Sequence, residues 1–328
     1  MQHLIPIASG KGGVGKTLLA ANLGIALAQQ KKTVVLVDLD LGGSNLHTVL
    51  GIRNRHAGIG HFIYKQAESL EQLLVETAQS QLYFIPGDGL FSGTANLPYY
   101  RKLAIIKQLQ ELPADFVLLD LGSGTAYNTI DLFLTSPAGL IVTTPDTTAI
   151  LNAYSFLKSS MLRLLQRSFP ARSEERRIVL DFLHQKVEGE ERDIGTVLES
   201  IRTVDRESGD TADAALETFR PRVVMNMGRS AQDIRLGGRL RHVVRNNLNS
   251  DVEFIAYLPQ DDLASRSPLE RSPTLLRYPD SAYAQAVHTC AARIIHDPSP
   301  GMPPLYNDDE DLRELAQQFP LDRDGITR

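Results

Sequence analysis

The chain has 328 residues, with 34 lysines and arginines against 39 aspartates and glutamates, for a formal charge of -5. That length suits one large α/β domain or two small ones, and 42% hydrophobic with 22% charged residues is ordinary soluble globular composition. A single cysteine excludes an internal disulfide framework and a cysteine-rich zinc or iron–sulfur site within one chain, while the acidic balance argues against bulk attraction to nucleic acid without excluding a local basic patch.

Met1-Gln2-His3 leads straight into an apolar run, so no targeting signal is expected. No segment approaches the roughly 20 apolar residues that span a bilayer. Short runs rich in Val, Ile and Leu follow at 4–8, 33–38, 82–86, 115–120, 140–144, 222–227 and 253–258. Each ends at Gly, Pro, Asp or Asn, the pattern of strands buried on both faces and paired in parallel. Helical periodicity lies between them, as at 16–29, 99–111 and 147–165. The alternation predicts an α/β fold: a doubly wound, mostly parallel sheet flanked by helices, with ligands at the carboxyl ends of the strands.

Two segments break the rhythm. Residues 171–220 hold 21 charged residues in 50, yet Ile178 and Phe182, then Ile194, Leu198 and Ile201, keep helical spacing. This predicts a charged helical insertion at about 171–221 without a core of its own, either a solvated decoration or a partner-binding surface. Residues 297–328 contain Pro298, Pro300, Pro303 and Pro304, then Asp308-Asp309-Glu310-Asp311. They are expected to form a flexible acidic tail, with Leu312, Leu315 and Phe319 able to make one short amphipathic turn. Residues 1–296 form the expected main domain.

The chemistry concentrates in Gly10-Lys11-Gly12-Gly13-Val14-Gly15-Lys16-Thr17, which fits the phosphate-loop pattern G-x-x-x-x-G-K-[ST]. Chance would produce such a match in a chain this long roughly once in a hundred. A predicted strand precedes it, and a helix with Leu19, Leu23, Ala26 and Leu27 on one face follows. Glycines let backbone N–H groups approach phosphates, and the helix start adds partial positive charge. Lys16 supplies a point charge for the terminal phosphates, and Thr17 a hydroxyl for Mg²⁺. Asp38 and Asp40, two apart at a strand end, can face one site. Asp120 follows four apolar residues, in the form of a Walker B acid that holds Mg²⁺ directly or through water. Each acid alone could be a helix cap, but three beside a phosphate loop favour the site.

With its early Lys11, this loop resembles that of the MinD/ParA family of P-loop ATPases. The resemblance implies binding of ATP or ADP with Mg²⁺, slow partner-stimulated hydrolysis, and an ATP-bridged homodimer. It makes Lys11 the lysine that reaches the partner's nucleotide and Lys16 the one that acts within its own subunit. Asp40 matches the water-orienting acid, Asp38 its neighbour near Mg²⁺, Thr17 the metal hydroxyl and Asp120 the Walker B acid. Asn226 matches the asparagine that reads adenine, and Pro259 the segment flanking the base. Gly10 to Leu18 line the nucleotide, with Leu18 standing where a second threonine is common. Asp40-Leu41-Gly42-Gly43-Ser44-Asn45-Leu46 and Asn152-Ala153-Tyr154-Ser155-Phe156-Leu157-Lys158 resemble the MinD and flagellar-number-regulator branch. The resemblance spans about 4–295, interrupted by the insertion. The chain starts at its first strand, without the activator segment of flagellar regulators. It ends acidic, unlike the basic amphipathic membrane helix of MinD-like proteins, so tail-mediated membrane anchoring is not expected.

The expectation is therefore a cytoplasmic ATP-dependent dimerisation switch acting on a protein partner in spatial organisation of the cell. The alternatives are a nucleotide-dependent scaffold without appreciable turnover, or a DNA-binding partitioning ATPase. Arg229, Arg235, Arg239, Arg241 and Arg245 share one predicted helix and are read as solvated surface, a partner site or a DNA site. His47, His56 and His61 show no metal-ligand spacing. Cys290, within a helical pattern, reads as a small buried residue.

Overall fold

The computed structural model describes residues 2–87, 97–184, 193–298 and 309–318. Strand β1 (His3–Ser9) runs into the glycine-rich loop, from which helix α1 (Lys16–Gln29) leaves. Then come β2 (Val34–Leu39), two short helices α2 (Leu46–Val49) and α3 (Ile59–Ile63), β3 (Val75–Glu76) and β4 (Leu82–Ile85). Helix α4 (Tyr99–Gln110), β5 (Phe116–Ser123), α5 (Tyr127–Phe133), β6 (Leu140–Thr143) and the long α6 (Thr147–Ser168) follow. The insertion contributes α7 (Glu174–His184), α8 (Ile194–Arg202) and α9 (Arg206–Glu217). The chain continues through β7 (Arg222–Gly228), α10 (Ala231–Leu248), β8 (Glu253–Pro259), α11 (Asp262–Arg266), α12 (Thr274–Arg277), α13 (Ala282–His296) and α14 (Glu310–Gln317).

The strands form one eight-stranded sheet in the order β3-β4-β2-β5-β1-β6-β7-β8. All neighbours are parallel except β3, which runs antiparallel to β4 at the edge. The seven predicted strands are all present; β3 is additional. From β1 the chain moves out to one side of the sheet, then returns to build β6, β7 and β8 on the other. The loop after β1 therefore opens at a topological switch point, where doubly wound folds bind ligands.

Both faces of the sheet are covered, which is why the central strands read as continuous apolar runs. One face packs on α1 and α13 through Leu19, Leu23, Tyr283 and Val287. The other packs on α4, α5, α6 and α10 through Ile105, Phe133, Phe156 and Leu240. Val179, Ile194, Val197, Leu198, Ile201 and Ala212 of the insertion join this second cluster. Helices α7 and α9 lie against α6, so the inserted helices add their apolar faces to the domain core.

The tail corrects its expectation where it is described. Residues 310–317 form a helix whose Leu312 and Leu315 are buried against the main domain, with Asp311 buried against Arg241 while Glu314 reaches Arg293 from an exposed rim. Phe319 and Asp308 lie outside the described residues. Among the described residues, no helix is long and apolar enough to cross a membrane, and no group of His, Cys, Asp or Glu could hold a metal ion by itself.

Candidate functional site

Strand register brings the predicted acids to the loop. Asp38 of β2 is the register partner of Asp120 of β5, and Asp120 is also opposite Ile7 of β1. Both carboxylates thus reach the carboxyl end of the sheet beside the start of α1, and both are fully buried. Lys16, in the first turn of α1, extends its Nζ to within 2.5 Å of Asp120 Oδ1. That pair is closed to solvent, with the lysine only 7% exposed.

The loop is shaped by backbone freedom and by Asn226. Gly15 has φ of 84°, and a Cβ there would sit 2.3 Å from Asn226 Nδ2. Asn226, at the end of β7, donates from Nδ2 to the Val14 carbonyl at 2.8 Å. Its amide N–H thus braces the phosphate loop, a contact that sequence reading did not anticipate. Pro259 ends β8 opposite Gly228 on the same rim, and Gln260 N donates to Gly228 O at 2.8 Å. Thr17 lies beside Lys16 at the helix start, while Leu18 packs its side chain toward the α1 core.

Asp38 ties down the segment that follows it. Its Oδ2 accepts from Ser44 Oγ at 2.7 Å and Leu46 N at 3.1 Å, and its Oδ1 from Asp40 N at 3.2 Å. Burial, then the neighbouring Asp120 charge, push its carboxyl up to about 7 against the pull of these hydrogen bonds. Burial also raises Asp120, opposed by the Lys16 charge and by the hydroxyl of Thr17. Asp40 lies just beyond β2, and a Cβ on Gly122 at the end of β5 would sit 3.4 Å from its Oδ1. The three acids therefore share one rim.

Lys11 points elsewhere. Its Nζ donates to Thr148 Oγ1 at 3.0 Å and lies 3.8 Å from Asp146 Oδ1, with both charged side chains about half exposed. Asp146 caps α6 by accepting from Ala149 N at 2.8 Å. Burial works against its ionised form, but bonds from Thr144, Thr148 and Ala149 and the Lys11 charge outweigh it and hold the carboxyl at about 2. Sequence reading missed this anchor, although an aspartate just before a helical pattern is a cap signal. A cavity of about 240 Å³ opens on the Lys11 side of the loop, lined by Lys11, Gly13, Val14, Asp146, Arg229 and Asp233 among others.

The donor set fits a magnesium–nucleotide group. Asp120 Oδ2 is buried without a hydrogen-bond partner, and Thr17 supplies a hydroxyl beside it. These are hard oxygen ligands, which Mg²⁺ prefers, and Lys16 provides the cation for a phosphate.

A match to the CobQ/CobB/MinD/ParA nucleotide binding domain covers residues 5–274. The chain belongs to this family. Septum site-determining protein MinD of Bacillus subtilis is 35% identical over 161 residues, covering 47% of this chain and 57% of MinD. Flagellum site-determining protein YlxH of Helicobacter pylori is 34% identical over 159 residues, covering 47% of this chain and 52% of YlxH. The chain spans about half the length of the curated relatives it matches. Among solved structures, MinD complexed with Mg-ADP from Pyrococcus horikoshii superposes with a TM-score of 0.61 at 23% identity, over 90% of this chain and 96% of that one. The likeness confirms the fold, and the family match confirms the membership expected from the loop.

The predicted arginine cluster is not one surface. Arg241 is fully buried and paired with Asp251 and Asp311, and Arg245 is paired with Asp251. Arg229 is held by Gln260, which leaves Arg235 and Arg239 as the exposed pair on α10.

Proposed function

We propose that the chain is an ATPase of the MinD/ParA type, whose ATP-bound state is a homodimer that positions or regulates a protein partner within the cell. The observation that carries this reading is the buried Lys16–Asp120 pair, with one carboxylate oxygen left over, beside a glycine-rich loop. Lys16 exchanges Asp120 for the terminal phosphates and neutralises them. That exchange frees both oxygens of Asp120, which with Thr17 would hold Mg²⁺; the ion supplies charge neutralisation at the transferred phosphoryl group. Asp38 has both oxygens engaged by its own loop, so it acts from behind, through water and by fixing Asp40. Asp40 orients the attacking water. Asn226 reads the adenine, Pro259 belongs to the segment flanking the base, and the loop from Gly10 to Leu18 cradles the phosphates.

Lys11 supports the dimer reading by its position at the rim. Its contacts to Thr148 and Asp146 are half exposed, and pairs of that kind contribute little, about 0–1 kcal/mol. Its release toward a second subunit therefore costs little. The test is Asp40→Ala in saturating Mg·ATP, measured by light scattering and phosphate release. A stable dimer with turnover abolished is expected. A variant that stays monomeric removes the switch, and a parent protein that releases no phosphate with or without cell extract removes the ATPase and leaves a nucleotide-dependent scaffold.

A further inference from the structure

Water-facing apolar side chains are concentrated in one place. Of the nine large apolar residues exposed among the described residues, five lie on adjoining helices: Tyr64 at the end of α3, Tyr99, Tyr100 and Leu103 on α4, and Tyr127 at the start of α5. Tyr99, Tyr100 and Tyr127 are 63%, 65% and 58% exposed. Leu103 stands one turn beyond both α4 tyrosines, at i+4 and i+3, so the three form one face. Two guanidinium groups extend it. Arg101 Cζ lies 5.1 Å from the Tyr64 ring centroid and 5.8 Å from that of Tyr100, and Arg163 Cζ lies 4.9 Å from that of Tyr127. Beneath the patch the helices are pinned together. Buried Asp131 of α5 accepts from Lys102 of α4, and from Arg163 of α6 through two bonds, at 2.7 and 2.9 Å.

The rings therefore stand on a fixed platform, and a tyrosine has only two side-chain torsions to freeze on binding. Exposed tyrosines with arginines beside them are the residues that interfaces use as anchors. The platform is also positive, within a chain of formal charge -5. Helices α3, α4 and α5 hold Arg101, Lys102 and Lys107 against one acid, Asp131, which Lys102 and Arg163 already occupy. Among the described residues no carboxylate pairs with Arg101, which is left stacked between two rings. We propose that this aromatic platform docks an acidic segment of a partner protein. Apolar side chains of that segment lie on Tyr99, Tyr100 and Tyr127, and one of its carboxylates answers Arg101. A second copy of this chain is the wrong occupant, because a self-complementary contact through the patch sets positive against positive. This goes beyond the ATPase reading and does not depend on it.

The test pans a random peptide display library on the full chain. Sequences with acids beside aromatic or branched apolar residues should be enriched. A fluorescent synthetic peptide of the enriched sequence, followed by anisotropy, should bind the parent chain. It should lose at least about tenfold against the Tyr99→Ala/Tyr100→Ala chain and against Arg101→Glu. The same peptide with lysine in place of its acid should regain binding on Arg101→Glu alone. The substituted side chains reach solvent, so the variants should keep the parent's circular dichroism, and either one decides the outcome if the other misfolds. No enriched sequence, an uncharged or basic consensus, or binding indifferent to the substitutions overturns the proposal. So does attachment to phosphatidylglycerol vesicles that the variants lose, since that assigns the patch to an anionic lipid surface. A dimer of the parent chain that the variants dissolve overturns it too, by assigning the patch to a second copy.

Discussion

Replacing Lys16 by methionine tests the electrostatics of the site without nucleotide. Methionine keeps most of the buried stem, so the change is chiefly the loss of one charge. Asp120 is then a carboxylate with no exposure, no cation at 2.5 Å, and Asp38 beside it in register. Removing one partner of a buried pair costs about 3–5 kcal/mol. Unfolding entropy scales with chain length at about 2.1 cal/mol/K per residue, so over 328 residues the loss amounts to roughly 4–7 °C in Tm. The sign of the pH dependence follows from the same groups. Both carboxyls are already raised, Asp38 to about 7, and loss of the ammonium raises Asp120 further. The folded variant therefore holds more protons than the unfolded chain above about pH 4, and its stability falls as pH rises through the folded values. Calorimetry at pH 5.5 and 8.5 should show a small deficit against the parent at the lower pH and the full deficit at the higher. A deficit of equal size at both, or none, refutes the assignment of a buried, unprotonated Asp120 paired to Lys16.

Gly15→Ala should abolish nucleotide binding in calorimetry, because its φ of 84° and the 2.3 Å approach to Asn226 leave no room for a Cβ without moving the loop. Asp131→Asn should destabilise the chain by about 3–5 kcal/mol while leaving nucleotide affinity unchanged, since Asp131 is buried between Lys102 and Arg163 and bonds neither the loop nor the three site acids. Burial pushes the Asp131 carboxyl up, but Arg163 and Lys102 outweigh it and hold it below its usual range; its contribution is present above about pH 4 and lost as pH falls, so the difference from the parent should shrink in acid. Cys290 is fully buried and its thiol is pushed up to about 12 by burial, so at pH 8 a thiol reagent should label the native chain about a thousandfold more slowly than the urea-unfolded one.

Much of this was visible in the sequence, and for physical reasons. Strands buried on both faces cannot hide their composition, so the runs at 33–38, 115–120 and 222–227 are unmistakable. Lys16, Asp38, Asp40 and Asp120 could be grouped from the sequence because strand ends and a glycine loop leave few ways to arrange them. Strand β3 was missed because two residues, Val75 and Glu76, carry no periodicity. The docked tail was missed because an acidic run reads as solvated until its counter-charges are known, although Gly237-Gly238 in mid-helix was a usable sign of close packing. The arginine cluster misled for a geometric reason. Arg235 and Arg241 are six residues apart, so at about 100° per residue they point some 120° from each other, one to water and one inward.

Helix α6 joins two distant parts of the molecule. Its first turn meets the nucleotide loop through Asp146, Thr148 and Lys11, and α7 and α9 pack against its 22 residues, about 33 Å of helix. The rim lysine and the charged inserted helices therefore rest on one continuous element of the core, anchored along its length by Phe156, Leu157 and Leu165.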